Sequence, residues 1–183
     1  MKQKKSLMEK EKLQVDINGT ILTKVIYRNI VLYQIDMPRK IIVASGFFSP
    51  LHSGHIEYLR KSKELGDILI VIVNNDKQSV LKKGFCAFPA SERVKIVREL
   101  ECVDVAVESI DEDRSVCKTL AMLHPDIFAN GGDQFNKCIP EAEVCDNMGI
   151  EMVDGLGEKV QSSRWILKEL KESLECVKDG YLS

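Results

Sequence analysis

In this chain of 183 residues, a regular alternation of apolar runs and amphipathic segments begins near Lys40 and narrows the folds that the chain can adopt. Five short runs are rich in aliphatic residues: Lys40–Ser45, Asp67–Val73, Cys102–Val107, Asp126–Asn130 and Ile150–Val153. Runs of this kind predict strands that are covered on both faces. The segments that follow them predict helices: Ser53–Leu65, Pro89–Leu100, Asp113–Leu123, Pro140–Met148 and Ser162–Val177.

Strands that alternate with helices of this length favour crossover connections and a parallel sheet. Because such crossovers are right-handed, the helices are expected to cover both faces of the sheet. The predicted fold class is therefore α/β, a Rossmann-like doubly wound parallel sheet of about five strands.

The first part of the chain has a different pattern, and we expect residues 1–39 to form a tail and a β extension before a domain at 40–183. Met1–Lys12 is rich in Lys, Glu and Gln, which predicts a frayed or weakly helical tail. Asn18-Gly19 is a favourable two-residue turn for a β-hairpin. A third β-branched run at Ile30–Ile35 allows a small antiparallel sheet. We interpret this extension as a sheet edge or an oligomer contact.

The composition excludes several classes of protein. Lys and Arg total 26 against 28 Asp and Glu, a formal net charge of −2, so no overall positive field attracts nucleic acid or an anionic membrane. The six cysteines form no C-x-x-C pair, and with only three histidines we predict no metal-binding residues. Met1–Gln14 contains no apolar segment like that of a signal peptide, and no stretch approaches about 18 uninterrupted apolar residues, so we expect a cytoplasmic protein.

Residues suited to chemistry follow the first strand of the predicted domain, in the stretch G-F-F-S-P-L-H-S-G-H. Ligands bind at the carboxyl ends of the strands in an open parallel sheet. Gly46 lets the backbone approach a ligand, and the N-terminus of the next helix offers free N–H groups and a positive dipole end. His52 and His55, with Gly54 between them, can donate to phosphate oxygens. The pattern predicts an anion site.

The spacing G-x-F-x-x-x-H-x-G-H after a first strand resembles the signature of the HxGH nucleotidyltransferases. The resemblance is closer to the cytidylyltransferase-like branch, which includes glycerol-3-phosphate cytidylyltransferase and heptose-1-phosphate adenylyltransferase. It extends over about Lys40 to Leu170. Further segments resemble family motifs in the family's order: Val73–Asp76 with Lys82-Lys83, Ser91–Arg93, Cys102–Asp104, Asn130–Asp133 and Val160–Ser163.

The resemblance implies transfer of a nucleoside monophosphate from CTP or ATP to a small phosphorylated acceptor, such as a polyol or sugar phosphate, with release of pyrophosphate. His52, His55 and Lys82 would be catalytic: they would hold phosphate oxygens and offset developing charge, with Lys82 reaching from a facing loop. Mg²⁺ would accompany the triphosphate, and a homodimer is expected. The nucleotide-binding residues that the resemblance implies are Gly46, Phe47, Phe48, Gly54, Arg93, Asn130, Gly131, Asp133, Ser162 and Ser163.

Two positions depart from the family pattern. Ser49 stands where cytidylyltransferases often carry Asp, and Lys159 stands near a position where the family has Arg. An ammonium group does not reproduce the planar fork of a guanidinium. Three hypotheses therefore stay open: a cytidylyltransferase that uses CTP, an adenylyltransferase that acts on a sugar phosphate or a cofactor precursor, and a nucleotide-binding module that has lost catalysis.

Overall fold

The first unit of the chain is a small antiparallel sheet. The computed structural model describes residues 8–17, 20–27, 30–36, 39–131, 139–157, 166 and 169. Contacts divide the chain into two compact units, Met1–Arg39 and Lys40–Ser183. The first unit contains three strands in the order in which they occur along the chain: β1 (Met8–Ile17), β2 (Thr20–Tyr27) and β3 (Ile30–Asp36).

The structure corrects one expectation for this unit and leaves another outside the described residues. The tail predicted through Lys12 is wrong for residues 8–12, which belong to β1 and pair with β2 from Met8 onward. The ladder forms between backbone groups, so it extends into a stretch that has few apolar side chains. The predicted turn at Asn18-Gly19 lies outside the described residues.

The second unit is built around a five-stranded sheet in which every neighbouring pair is parallel. Its order is β6-β5-β4-β7-β8, so the first strand of the unit lies at the centre. The prediction of a doubly wound parallel sheet is confirmed. The strands are β4 (Ile41–Gly46), β5 (Ile68–Val73), β6 (Val105–Glu108), β7 (Ile127–Gly131) and β8 (Glu151–Leu156).

Helices connect these strands: α1 (Ser53–Lys63), α2 (Asp76–Lys83), α3 (Ala90–Arg98), α4 (Cys117–Leu123) and α5 (Glu141–Met148). The start predicted for α4 at Asp113 is wrong. The carboxylate of Asp113 accepts hydrogen bonds from the N–H and hydroxyl of Ser115 in a local turn, and Asp111 accepts hydrogen bonds from the N–H groups of Lys118 and Thr119 at the helix start.

The predicted helix Ser162–Val177 lies almost wholly outside the described residues. No helix in the described ranges is long and apolar enough to cross a membrane.

The core lies on both faces of the parallel sheet. Successive residues of β4 point to opposite sides, so Ile42 packs with Leu59 of α1 and Val97 of α3, whereas Val43 packs with Leu120 of α4. All five residues are completely buried. The two apolar layers hold the central strands rigidly, and the loops at their carboxyl ends therefore start from fixed positions.

Candidate active site

The loop after β4 is shaped by close packing between a glycine and an aromatic ring. Phe48 has a positive φ of 47° and turns its ring back over Gly46. A Cβ at Gly46 would lie 2.8 Å from the tip of that ring, so a larger residue here would displace the Phe48 ring. The ring is also 5.0 Å from the imidazole of His55, measured between centroids. The predicted nucleotide-binding residues Gly46 and Phe48 therefore pack inside the loop between β4 and α1, which we call the histidine loop, and support its conformation.

His52 and His55 meet at the N-terminus of α1, with Gly54 in the first turn between them. Their rings are stacked, with 3.8 Å between centroids. The backbone N–H of His52 donates to Nδ1 of His55 at 3.4 Å. This contact uses a lone pair on Nδ1, so the proton of the neutral His55 ring is assigned to Nε2. Nδ1 of His52 is buried and has no hydrogen-bond partner among the described residues.

The surroundings of the two rings favour their neutral forms. Burial lowers the pKa of His55 to about 3, and the positive charges of a protonated His52 and of Lys83 act in the same direction. Burial also lowers the pKa of His52. At pH 7 the site therefore presents two neutral imidazoles whose hydrogen-bonding capacity is not used up by the protein. An anion that enters would find N–H donors at a positive helix end.

Lysine side chains face this loop from α2. Nζ of Lys82 lies 4.4 Å from the centroid of the Phe47 ring, and Nζ of Lys83 lies 5.4 Å from it. Lys83 also donates to the carbonyl of Ser49 at 2.6 Å. The prediction of Lys82 in a loop is wrong, because both lysines belong to the last turn of a helix that ends at Gly84 with φ 83°. Their positions are thus fixed by a capped helix.

Arg93 has a different environment from the one predicted. Its side chain is 1% exposed, and it donates to the carbonyls of Phe47, Asn74 and Phe88 at 2.6–2.9 Å. It also donates to Oδ1 of Asp76 at 2.9 Å. Four of the five guanidinium N–H groups are thereby used by the protein. This geometry does not support the predicted contact with a phosphate; Arg93 ties the ends of β4 and β5 to α2 and α3.

Asn130 and Gly131 form the end of β7, on the other side of β4. The amide of Asn130 donates to Oδ1 of Asp154 at 3.2 Å, and the position of Gly131 is packed against the ring of Tyr58. Asp133, Ser162 and Ser163 lie outside the described residues, and their predicted roles stay predictions.

Sequence reasoning missed α2 because its buried face is polar. Its buried residues are Gln78 and Ser79, so the sequence of α2 does not show apolar residues at the spacing of a helix. A signal was nevertheless present: Asn75 and Gln78 form a reciprocal capping box, with the Gln78 N–H donating to Asn75 Oδ1 at 2.9 Å. Reasoning from sequence also gave no role to Tyr58 and none to Lys83 beside His55.

The comparison with family models matches residues 43–173 to the family described as "Cytidylyltransferase-like". Among curated proteins, the bifunctional protein HldE of Streptomyces coelicolor is 37% identical over 115 residues, which are 62% of this chain and 24% of that protein. The FAD synthase of Thermoplasma acidophilum is 40% identical over 93 residues, 51% of this chain and 64% of that protein. The chain thus spans about a quarter of the length of the HldE relative.

Among solved structures, a lipopolysaccharide core biosynthesis protein from Thermoplasma volcanium superimposes with a TM-score of 0.57 and 30% identity. The match covers 66% of this chain and 98% of that one. The two chains therefore share the overall fold of the second unit. Since the family match also includes both histidines and covers well over half of the residues, the chain belongs to the cytidylyltransferase-like family.

Proposed function

We propose that this protein is a nucleotidyltransferase that transfers a nucleoside monophosphate to a small phosphate monoester and releases pyrophosphate. The observation that carries the proposal is the pair of stacked, neutral imidazoles of His52 and His55 at the mouth of α1, faced by the lysines at the end of α2. This arrangement combines N–H donors, a helix dipole and ammonium groups, all of which favour a polyphosphate.

The reaction needs positioning and charge stabilisation rather than a covalent enzyme intermediate. An oxygen of the acceptor phosphate attacks the α-phosphorus in line, and the bond from that phosphorus to the oxygen bridging the β-phosphate breaks. The electron pair leaves on pyrophosphate. N–H donation from His52 and His55, together with Lys82, offsets the charge that grows on the phosphate oxygens.

We infer that ATP is the donor, because the FAD synthase of T. acidophilum has a name that specifies an adenine dinucleotide product. The resemblance to heptose-1-phosphate adenylyltransferase supports the same donor. A sugar phosphate is the proposed acceptor. CTP as donor with a polyol phosphate as acceptor is the alternative, and nucleotide binding and pyrophosphate release distinguish it from ATP with a sugar phosphate.

Mg²⁺ is part of the proposal, as a companion of the triphosphate. The described residues contain no group of three His, Cys, Asp or Glu side chains placed to hold a metal ion. Mg²⁺ keeps several waters and is commonly held through substrate phosphates, so this site fits an ion carried in by the nucleotide. Its chemistry would be neutralisation of the triphosphate charge.

A homodimer is likewise proposed, and light scattering after size exclusion measures the molar mass that tests it.

The test is a thermal-shift panel of ATP, CTP, GTP and UTP with Mg²⁺, followed by pyrophosphate release with candidate acceptors. A ligand at 100 times its dissociation constant adds about 2.7 kcal/mol to the free energy of unfolding. We expect ATP to raise the melting temperature most, and pyrophosphate release to require a phosphorylated acceptor. Binding without turnover on any acceptor would favour the module that has lost catalysis. Absence of binding to all four nucleotides would refute the proposal.

A further inference from the structure

The ladder between β4 and β7 ends before either strand does. Its last pair is Ala44 with Ala129, although β4 continues to Gly46 and β7 to Gly131. On its other side, β4 stays paired with β5 as far as Gly46. At the carboxyl edge of the sheet, β4 therefore separates from β7 while it remains joined to β5.

The hydroxyl of Tyr58, from α1, lies at the point where this ladder ends. It donates to the carbonyl of Ala129 at 2.7 Å and accepts the N–H of Ser45 at 3.3 Å. The side chain is 7% exposed, so these backbone groups are its partners in a nearly closed environment. A single oxygen atom thus replaces a direct bond between the strands and holds the two backbones apart.

This separation coincides with the switch point of the sheet. The chain leaves β4 to form β5 and β6 on one side and later returns to place β7 on the other, and ligands bind at such points. Tyr58 follows His55 by three residues on α1, so the two side chains lie on the same face of the helix. The Tyr58 ring also limits Gly131, where a Cβ would lie 2.9 Å from the ring. One side chain therefore contacts the ends of both strands.

We propose that Tyr58 is a positioning residue that sets the width of the nucleotide crevice between the histidine loop and the end of β7. The inference rests on the proposed nucleotidyl transfer and adds to it the element that spaces the two halves of the site. Tyr58 acts through the backbones of Ser45 and Ala129. Without the Tyr58 hydroxyl, the N–H of Ser45 and the carbonyl of Ala129 can bond directly, which narrows the crevice. If they do not bond, both groups lose a partner and the spacing between the strands is no longer fixed.

The first test compares Tyr58→Phe with Ser62→Ala. The Ser62 hydroxyl is buried on the same helix and donates to the carbonyl of Tyr58 at 2.8 Å, so its loss weakens α1 without touching the crevice. We expect Tyr58→Phe to raise the ATP dissociation constant and KM about tenfold, the effect of one lost buried hydrogen bond, with kcat within about threefold. Ser62→Ala should leave nucleotide affinity within about twofold. Equal affinities in wild type and Tyr58→Phe, or equal losses in both variants, would overturn the inference.

A second measurement needs neither nucleotide nor a folded variant. Amide hydrogen exchange of the wild-type protein should show Ser45 protected to within about tenfold of Val43, which faces β7 two residues earlier in β4. Rapid exchange at Ser45 alone would overturn the role of the Tyr58 hydroxyl, whatever the protein binds. A protected Ser45 in a protein that binds no nucleotide would instead overturn the proposed function and leave the bridging hydroxyl in place.

Discussion

Two neighbouring strand-to-helix junctions of the sheet use their polar residues in opposite ways. After β4, the imidazoles of His52 and His55 are partly buried, neutral and incompletely hydrogen-bonded. After β5, Arg93 uses four of its five guanidinium N–H groups on three carbonyls and Asp76, and we call this junction the saturated one. The first junction thus leaves hydrogen-bonding groups unused, whereas the second uses its donors to join segments of the fold.

The pKa of Asp76 reports the saturation of the second junction. Partial burial acts to raise this pKa, but hydrogen bonds from Cys86, from the N–H of Ala90 and from Arg93 outweigh it and hold the pKa below its usual value. The carboxylate thus stays charged and keeps the guanidinium in place.

The largest expected effect comes from breaking the saturated junction. Arg93→Ala leaves buried carbonyls and Asp76 without their donor, and we expect it to lower the free energy of unfolding by about 3 kcal/mol or more. Urea unfolding measures the loss. Arg98→Ala is the matched control, since Arg98 is exposed on the same helix and donates to one carbonyl at 3.2 Å. Similar small losses in both variants would show that the guanidinium does not hold this junction together.

Next in size is the effect of removing a donor from the unsaturated junction. His55→Ala is expected to lower the rate of pyrophosphate release by a factor of about 10², because its N–H stabilises charge in the transition state, with only a modest change in stability at pH 7. His124→Asn provides the control, since His124 ends α4 at the amino edge of the sheet with a φ of 44°, which Asn tolerates. An unchanged rate in His55→Ala would remove this histidine from the mechanism.

A smaller effect concerns pH. The pKa of His55 is about 3 in the folded protein and 6.5 as the ordinary value, so the unfolded chain binds more protons between these values. Stability is therefore retained above pH 6.5 and falls as the pH drops, by about 1–2 kcal/mol between pH 7 and pH 5 from this group. Denaturant unfolding at both pH values should show a flatter dependence in His55→Ala than in wild type or His124→Asn. An identical slope in all three proteins would contradict the neutral His55.

The smallest expected effect is a loss of nucleotide affinity that differs between two lysines of α2. Lys82→Ala should raise the nucleotide dissociation constant about five- to tenfold at low salt, and less at high salt, because an exposed ammonium is screened. Lys77→Ala is the control: it lies in the first turn of the same helix and pairs with Glu112 at 3.3 Å. Calorimetric titration at two salt concentrations measures both. Equal losses in the two variants would indicate a general charge effect rather than a site at Lys82.

Comparison of sequence and structure shows which kinds of inference succeed. The parallel sheet followed from apolar runs such as Ile68–Val73, because a strand covered on both faces must be apolar throughout. α2 was missed because Gln78 and Ser79 are buried through hydrogen bonds rather than through apolar packing. The family resemblance implies that Arg93 binds phosphate, and only the folded chain shows that its guanidinium already donates to backbone carbonyls.

The layers of the second unit and the place of the histidines after its first strand can be predicted from the sequence, since both depend on periods and spacings within short segments. The partners of the polar groups are visible only in the folded chain: the neutral His55, the almost fully bonded Arg93 and the Tyr58 hydroxyl between two strands. The physical reason is that the charge and hydrogen bonds of a side chain depend on residues distant in the chain, such as Ala129, 71 positions after Tyr58.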